Sequence, residues 1–223
     1  MLCSGGLDSA VLVADAARQG PVVAIYVSTG FAWEAEERAM IARLFAAPPL
    51  AGRVAPPVTL TFDMTDVFAR DHWAVRGTPP AYDTPDEDVY LPGRNIILLS
   101  KAAVYLAAAH LLSDDAPSRI LMGQLAGNPF PDATPAFVSA IAHALSSGLA
   151  ARLAVETPFV TLHKADVIRK GVELGVPMGL TLSCMQPKDG LHCGVCSKCR
   201  ERRDAFDEAG TADLAAYARP APR

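Results

Sequence analysis

Along the chain, short apolar runs alternate with longer stretches of helical spacing. Residues 21–27 (PVVAIYV) are a β-branched run of the kind that a sheet buries on both faces, and residues 58–62 are a second strand candidate. Residues 119–122 and 153–155 are two further strand candidates. The 3.6-residue period predicts helices over residues 9–18, ending at Gly20, and over 32–45, with Glu34, Glu36, Glu37 and Arg38 on a charged face. Further helices are expected over 95–112, 135–146, 163–174 and 199–209. Strand, helix and strand in this order imply right-handed crossovers and a mostly parallel sheet, so the fold class is α/β.

The connections carry their own signals. Residues 48–57 and 123–135 are rich in Pro and Gly and read as loops. Residues 68–90 are polar, with Pro79, Pro80 and Pro85 among Asp83, Asp86, Glu87 and Asp88; a loop that long in a compact domain is usually functional or mobile. The tail over 219–223 (RPAPR) is expected to lack fixed structure. Only three residues precede the first Gly-rich turn, where a central strand normally has five or six. Either that strand is short or the true start lies upstream, and the second reading is preferred.

Composition narrows the function classes. The length of 223 residues suits one large domain or a domain with a small appendage, and 51% apolar with 20% charged residues describes a globular chain. A net charge of −4 argues against a broad grip on nucleic acid, which needs an excess of Lys and Arg, and favours a small-molecule substrate. The longest apolar stretch, 96–109, is interrupted by Lys101 and follows Arg94 and Asn95, well short of the ~20 residues of a membrane span. With no secretory signal pattern, a cytoplasmic location is the default, and five cysteines there point to metal binding or catalysis rather than disulfides.

Two motifs carry chemistry. Ser4-Gly5-Gly6-Leu7-Asp8-Ser9 sits between an apolar strand end and a helix start. The glycines let backbone approach an anion without a Cβ in the way, Ser4 and Ser9 add hydroxyls, and the helix aims free N–H groups at the same spot. Asp8 repels phosphate, so its jobs are to hold Mg²⁺ or to fix the loop. The pattern is distinct from the GxxxxGK[ST] loop of kinases and GTPases. The second motif is Cys184-x8-Cys193-x2-Cys196-x2-Cys199. Four thiolates at this spacing match tetrahedral Zn²⁺, with Gly194 permitting the tight turn; a full shell makes the metal structural. An iron–sulfur cluster is the competing reading, and the adjacent His192 is an alternative ligand. Lys198, Arg200 and Arg202 stand ready to offset the charge of the sulfurs. Cys3 stands apart and reads as a small apolar strand residue.

The first motif resembles the SGGxDS signature of the PP-loop superfamily, whose members split ATP between its α and β phosphates. With the cysteines, the chain is similar to the 7-cyano-7-deazaguanine synthase family. The resemblance runs over almost the whole chain through Ser4 to Ser9, Leu91-Pro92-Gly93-Arg94-Asn95, Phe130-Pro131-Asp132, Glu156-Thr157-Pro158, Lys164 and the four cysteines. It implies a Rossmann-like, adenine nucleotide alpha hydrolase-like three-layer sandwich over residues 1–180, with a small zinc-binding C-terminal subdomain over 181–223. It implies ATP, Mg²⁺ and Zn²⁺ as cofactors, a deazapurine-like carboxylate and ammonia as substrates, and allows a homodimer. Cys3, Ser4, Gly5, Gly6, Leu7, Asp8, Ser9 and Ala10 would hold the nucleotide; Asp8, Lys164 and Arg94 would be catalytic; Arg94, Asn95 and Asp132 would meet the substrate; and Cys184, Cys193, Cys196 and Cys199 would hold the metal.

Plainer roles stand beside these. Asn95 could be the N-cap of its helix, Asp132 a cap for the helix starting near Pro135, and Lys164 a solvated helix residue. Two segments differ from the family pattern. Where the family carries a Tyr-Gly-Gln-x-His-like motif, residues 26–34 read YVSTGFAWE, and its Asp-x-Ser-Gly-Tyr-Pro-Asp stretch is LAGNPFPD at 125–132. Three alternatives therefore stay open: a PP-loop ligase for a different carboxylate or for deazapurine conjugation, a tRNA-modifying PP-loop enzyme, and a nucleotide-sensing scaffold without turnover.

Overall fold

The computed structural model describes residues 1–113 and 115–222. It is an α/β chain with short parallel strands: β1 (Ile25–Ser28) pairs with β2 (Val58–Thr61), and β3 (Ser118–Leu121) pairs with β4 (Leu153–Glu156). The N-terminal residues lie between the two ladders. The amide of Leu2 donates to the carbonyl of Leu121 at 3.0 Å, and that of Cys3 to the carbonyl of Ile25 at 2.8 Å. A parallel β-bridge joins Leu2 to Ile25.

Seven α-helices are described: α1 (Leu7–Gln19), α2 (Glu34–Phe45), the single turn α3 (Trp73–Arg76), α4 (Arg94–Ala108), α5 (Pro135–Gly148), α6 (Lys164–Glu173) and α7 (Ser197–Ala209). Alternation along β1 decides which helices cover which face. Ile25 and Val27 join an apolar cluster with Leu99, Ala102, Ala103 and Leu106 of α4 and Val138 of α5. Tyr26 points the other way, into a cluster with Val11 and Leu12 of α1, Leu44 of α2, Val167 and Ile168 of α6, and Phe206 of α7. The strand is thus buried on both faces, as its β-branched composition predicts. None of the described helices is long and apolar enough to cross a membrane.

The strongly periodic elements form within a few residues of their expected places, and the differences are informative. Helix α1 starts at Leu7 rather than residue 9 because Gly6 takes extended backbone (φ −69°, ψ 163°) and serves as its N-cap, so Leu7, Asp8 and Ser9 become the first turn. Helix α4 ends at Ala108 rather than near residue 112. The 68–90 segment is no open loop: it contains α3 and a 3₁₀ turn (Asp86–Val89), and Ala74 and Val89 are buried with the cysteines. The tail also differs from expectation as far as residue 219. His192 pairs with Tyr217 in a short β-bridge, and the Arg203 guanidinium donates to the carbonyl of Arg219 at 3.1 Å. Gly194 has φ +84°, and a Cβ there would land on the Arg219 carbonyl, so the tail seals the knuckle. Of the expected tail, Arg223 lies outside the described residues.

Candidate active site and metal centre

The Gly-rich turn is braced by its own hydroxyls. The Gly6 amide donates to Ser4 Oγ at 3.3 Å, and Ser9 Oγ–H donates to the Gly6 carbonyl at 3.0 Å. Gly5 has φ +72°, and a Cβ there would sit 2.5 Å from Ile41 Cγ1, because α2 packs directly behind the loop. Only glycine meets both demands. The α1 amides of the first turn lack intrahelical partners and carry the positive end of the helix dipole, a cradle fitted to phosphate oxygens.

This loop opens on a cavity of about 220 Å³ lined by Ser4, Gly6, Asp8, Ser9, Tyr26, Val27, Arg94, Asn95, Leu98 and Gly123 among others. Asp8 and Gly123 also line a neighbouring groove of about 420 Å³. Its walls bring His163 and Lys164, the N-cap and first residue of α6, and Lys198, Arg200 and Glu201 of α7 opposite Asn128, Pro129 and Phe130. Asp8, Lys164 and Arg94 therefore converge from three distant parts of the chain onto two neighbouring spaces that share Asp8 and Gly123. That convergence is what separates Lys164 from a solvated helix residue.

The charges form a chain. Lys164 Nζ lies 3.5 Å from Asp8 Oδ2 and is ion-paired more tightly with Glu201 Oε1. Lys198 Nζ donates to the other Glu201 oxygen at 2.5 Å and lies 3.8 Å from Asp86. Burial pushes the Asp8 carboxyl above its ordinary value, and the Lys164 charge works against that rise. Asp8 Oδ1 is buried with no hydrogen-bond partner, as is Arg94 Nε. An unpartnered buried carboxylate oxygen beside a phosphate cradle has the donor chemistry that Mg²⁺ takes, so the residues present fit that cation. Behind the loop, Tyr26 Oη donates to Glu37 Oε2 at 2.9 Å; burial raises Glu37 to about 7, with the Arg94 charge opposing.

Asn95 and Asp132 are brought together. The Asn95 backbone amide donates to Asp132 Oδ2 at 3.1 Å, and Asn95 Nδ2 donates to the Asp132 carbonyl at 3.0 Å. Asp132 thus caps α4, whose N-cap is Gly93 and not Asn95, while α5 is capped by Thr134 through the Phe137 amide at 3.1 Å. Through this pairing the Phe130–Asp132 turn holds Arg94, the first residue of α4, at the cavity edge. Tyr90 and Phe130 stack with ring centroids 5.1 Å apart beside it.

The four cysteines are buried, and their sulfurs lie within 4.8 Å of one another. Sγ–Sγ separations of 4.0 Å (Cys184–Cys196), 3.9 Å (Cys193–Cys199) and 3.5 Å (Cys196–Cys199) bracket the edge of about 3.8 Å that a tetrahedron of 2.3 Å Zn–S bonds requires. Amides of Gln186 and Cys193 both donate to Cys184 Sγ at 3.2 Å, the contacts that stabilise a thiolate. The donor set fits zinc.

His192 is not part of this set. Its Nε2 accepts from the Ser183 amide at 3.2 Å, its ring packs on Tyr217, and burial lowers it to about 4. Lys198, Arg200 and Arg202 do not serve the sulfurs either. Arg202 pairs with Asp213 at 2.8 Å, Arg200 faces Asp86 and Asp204, and Lys198 faces Glu201 and Asp86. Cys3, buried and in the core beside the loop, behaves as the small apolar residue that its isolation suggests. Glu201 and Asp86 escape sequence reading altogether: Glu201 lies 37 positions from Lys164, and no local pattern links them.

Comparison with known proteins agrees with this geometry. The family profile described as "Queuosine biosynthesis protein QueC" matches residues 1–210. The 7-cyano-7-deazaguanine synthase of Methanopyrus kandleri is 34% identical, with 97% of each chain covered. That of Methanoculleus marisnigri is 35% identical, covering 98% of this chain and 97% of its own. The enzyme of the same name from Syntrophotalea carbinolica is 34% identical over the full length of this chain and 97% of its own.

Proposed function

The chain belongs to the QueC family, and from that premise we propose that it is a 7-cyano-7-deazaguanine synthase, an ATP-dependent carbon–nitrogen ligase of queuosine precursor synthesis. The carrying observation is the meeting of the phosphate loop, Lys164 and Arg94 on neighbouring spaces able to hold a nucleotide and a planar acid. Similarity over the whole chain does not favour the other readings: a ligase for another acid, a tRNA-modifying enzyme or a scaffold.

The reaction is read as two adenylations. The carboxylate oxygen of 7-carboxy-7-deazaguanine attacks the α-phosphorus of ATP, and pyrophosphate leaves. Ammonia then displaces AMP from the acyl carbon, with loss of one proton, to give the amide. A second ATP adenylates the amide oxygen with release of pyrophosphate and one proton; loss of AMP and the second proton leaves the nitrile. Each adenylation needs negative charge neutralised as pyrophosphate departs. The loop amides and the Lys164 ammonium supply this, Arg94 presents its guanidinium fork to carboxylate or phosphate, and Asp8 would hold Mg²⁺, whose charge adds to theirs. Asn95 and Asp132 form the turn that sets Arg94. Cys184, Cys193, Cys196 and Cys199 hold structural zinc.

We read residues 1–180 as a Rossmann-like three-layer unit carrying the nucleotide, with 181–223 as its zinc-binding appendage, and we place the enzyme in the cytoplasm. The deciding experiment is incubation with ATP, Mg²⁺, ammonia and 7-carboxy-7-deazaguanine, followed by mass spectrometry and a pyrophosphate assay. Amide and nitrile are expected, and Asp8→Ala is expected to abolish both while the protein stays folded. Absence of both products from the parent enzyme would sink the assignment.

A further inference from the structure

We infer that Glu201, on the helix that follows the cysteine knuckle, is a positioning residue for the nucleotide step: it draws the Lys164 ammonium away from Asp8 and so keeps Asp8 open to a divalent cation. The inference rests on the reading of the loop as a nucleotide site.

Three observations carry it. Lys164 Nζ has two anionic partners, and it sits closer to Glu201 Oε1 than to Asp8 Oδ2 at 3.5 Å. Both carboxylates reach the same ammonium, so removing one leaves Lys164 a single partner. It would then close on Asp8 and occupy the carboxylate that a cation needs. The second observation is the buried, unpartnered Oδ1 of Asp8, a residue that lines both the cavity and the groove. A carboxylate that Lys164 contacts at only one oxygen is half open, which is the state that the Glu201 contact preserves.

The third observation concerns what holds Glu201. Its other oxygen takes Lys198 Nζ at 2.5 Å, so the carboxylate is gripped from both sides. Helix α7 begins immediately after Cys196 and includes Cys199, and it packs along α6, whose first residue is Lys164. A position fixed by the knuckle is thereby passed to the phosphate loop through one ion pair. The cysteine cluster then has a task besides closing the C-terminal end: it sets where Lys164 stands.

The test uses full-length, zinc-replete protein and the variants Glu201→Gln, Glu201→Ala and Glu201→Asp. ATP binding is followed by calorimetry as Mg²⁺ is titrated, and turnover is measured beside it. In the Gln and Ala variants the Mg²⁺ concentration for half-maximal ATP binding is expected to rise by about tenfold, the size of a modest charge–charge coupling at this separation. Their kcat is expected to fall with little change in KM for the carboxylate, and Asp should restore part of both. Zinc content and the urea midpoint separate this from a purely structural role, which would lower the midpoint and leave the Mg²⁺ dependence alone. Parent-like Mg²⁺ dependence in Glu201→Gln overturns the inference. If the parent binds ATP but makes no nitrile, the substrate assignment fails while the Mg²⁺ shift still decides the role of Glu201. If the parent binds no ATP, both fail.

Discussion

Replacing Lys164 by Met isolates the charge at the centre of the site. Methionine keeps most of the length and apolar stem of lysine, and Glu201 retains Lys198 at 2.5 Å, so no carboxylate is stranded on that side. Opposite unit charges 3.5 Å apart, the Lys164–Asp8 separation, attract by about 5 kcal/mol at an effective dielectric of ~20. Both side chains keep about a fifth to a quarter of their surface in solvent, and screening reduces this to roughly 3 kcal/mol. A departing pyrophosphate would draw on the same ammonium, so Lys164→Met should lower turnover on the order of 10²-fold. The pH profile gives a second reading with a definite sign. Burial raises the Asp8 carboxyl and Lys164 holds it back down. Without Lys164 the carboxyl rises further, and the acid limb of the rate profile should move to higher pH, because Asp8 must be ionised to hold a cation. Steady-state pyrophosphate release between mildly acidic and neutral pH, with the urea midpoint as a control for folding, measures both. A folded Lys164→Met enzyme within threefold of the parent, its acid limb unmoved, would refute the placement of this residue at the phosphates.

Three other outcomes are expected. Cys196→Ser removes a buried ligand and should lower zinc content and stability by on the order of 3 kcal/mol or more, since structural zinc binding is folding energy; elemental analysis and urea unfolding test it, and full zinc retention would contradict it. Arg202→Met breaks a buried pair with Asp213 and bonds to Thr181 Oγ1 at 2.8 Å and the Met178 carbonyl at 2.9 Å, which should cost about 3–5 kcal/mol. Burial alone would raise Asp213, but the Arg202 contact leaves it below 3.8. Its stabilising share is therefore complete above that value and lost as pH falls through the folded one, and the acid-side loss should flatten in the variant. Gly5→Ala forces a side chain into φ +72° and against Ile41 at 2.5 Å, and should reduce ATP affinity at least about tenfold by calorimetry.

What could be read from the sequence follows a physical divide. Residues 4–9 and the four cysteines are local patterns, each needing only neighbours in the chain to make chemical sense, and each lies in the structure as its spacing implies. The buried strand was legible in kind but not in bounds: the apolar run over 21–27 marks it, yet only Ile25–Ser28 pairs, and Val23 is exposed. Relations between distant segments were not legible. Asp132 reads as a cap for the helix that follows it, yet its carboxylate caps α4, 37 positions upstream. Glu201 carries no local signal, and only the docking of α7 on α6 brings it to Lys164; Asp86 meets Lys198 from the 3₁₀ turn of the 68–90 segment, far from it in the chain. The 68–90 segment reads as an open loop because its few apolar residues, Trp73, Ala74 and Val89, are too scattered for any period. Ala74 and Val89 are buried in a cluster shared with Phe31, Trp33 and the cysteines, and Trp73 packs against it.

The two segments that differ from the family pattern have different consequences once placed. Phe31 and Trp33 are 3% and 5% exposed and form part of an aromatic cluster with Phe68 and Trp73, Trp33 stacking on Trp73 at 5.6 Å. Neither lines the cavity at the phosphate loop or the groove beside it. What does reach the cavity from this stretch is Tyr26 and Val27, at its start. Phe31 and Trp33 therefore belong to an apolar core and not to the cavity wall, and Glu34 is consumed in bonds to Ser28, Thr29 and Arg38. The second segment is another matter. Asn128 and Phe130 face the groove, and the turn they belong to ends in Asp132, which sets Arg94. On the proposed reading, in which the phosphate loop, Lys164 and α1 hold the nucleotide, a change of substrate would be written there. Fit to a deazapurine acid would then turn on residues 125–130, all of which line the groove opposite Lys164, and not on residues 30–34.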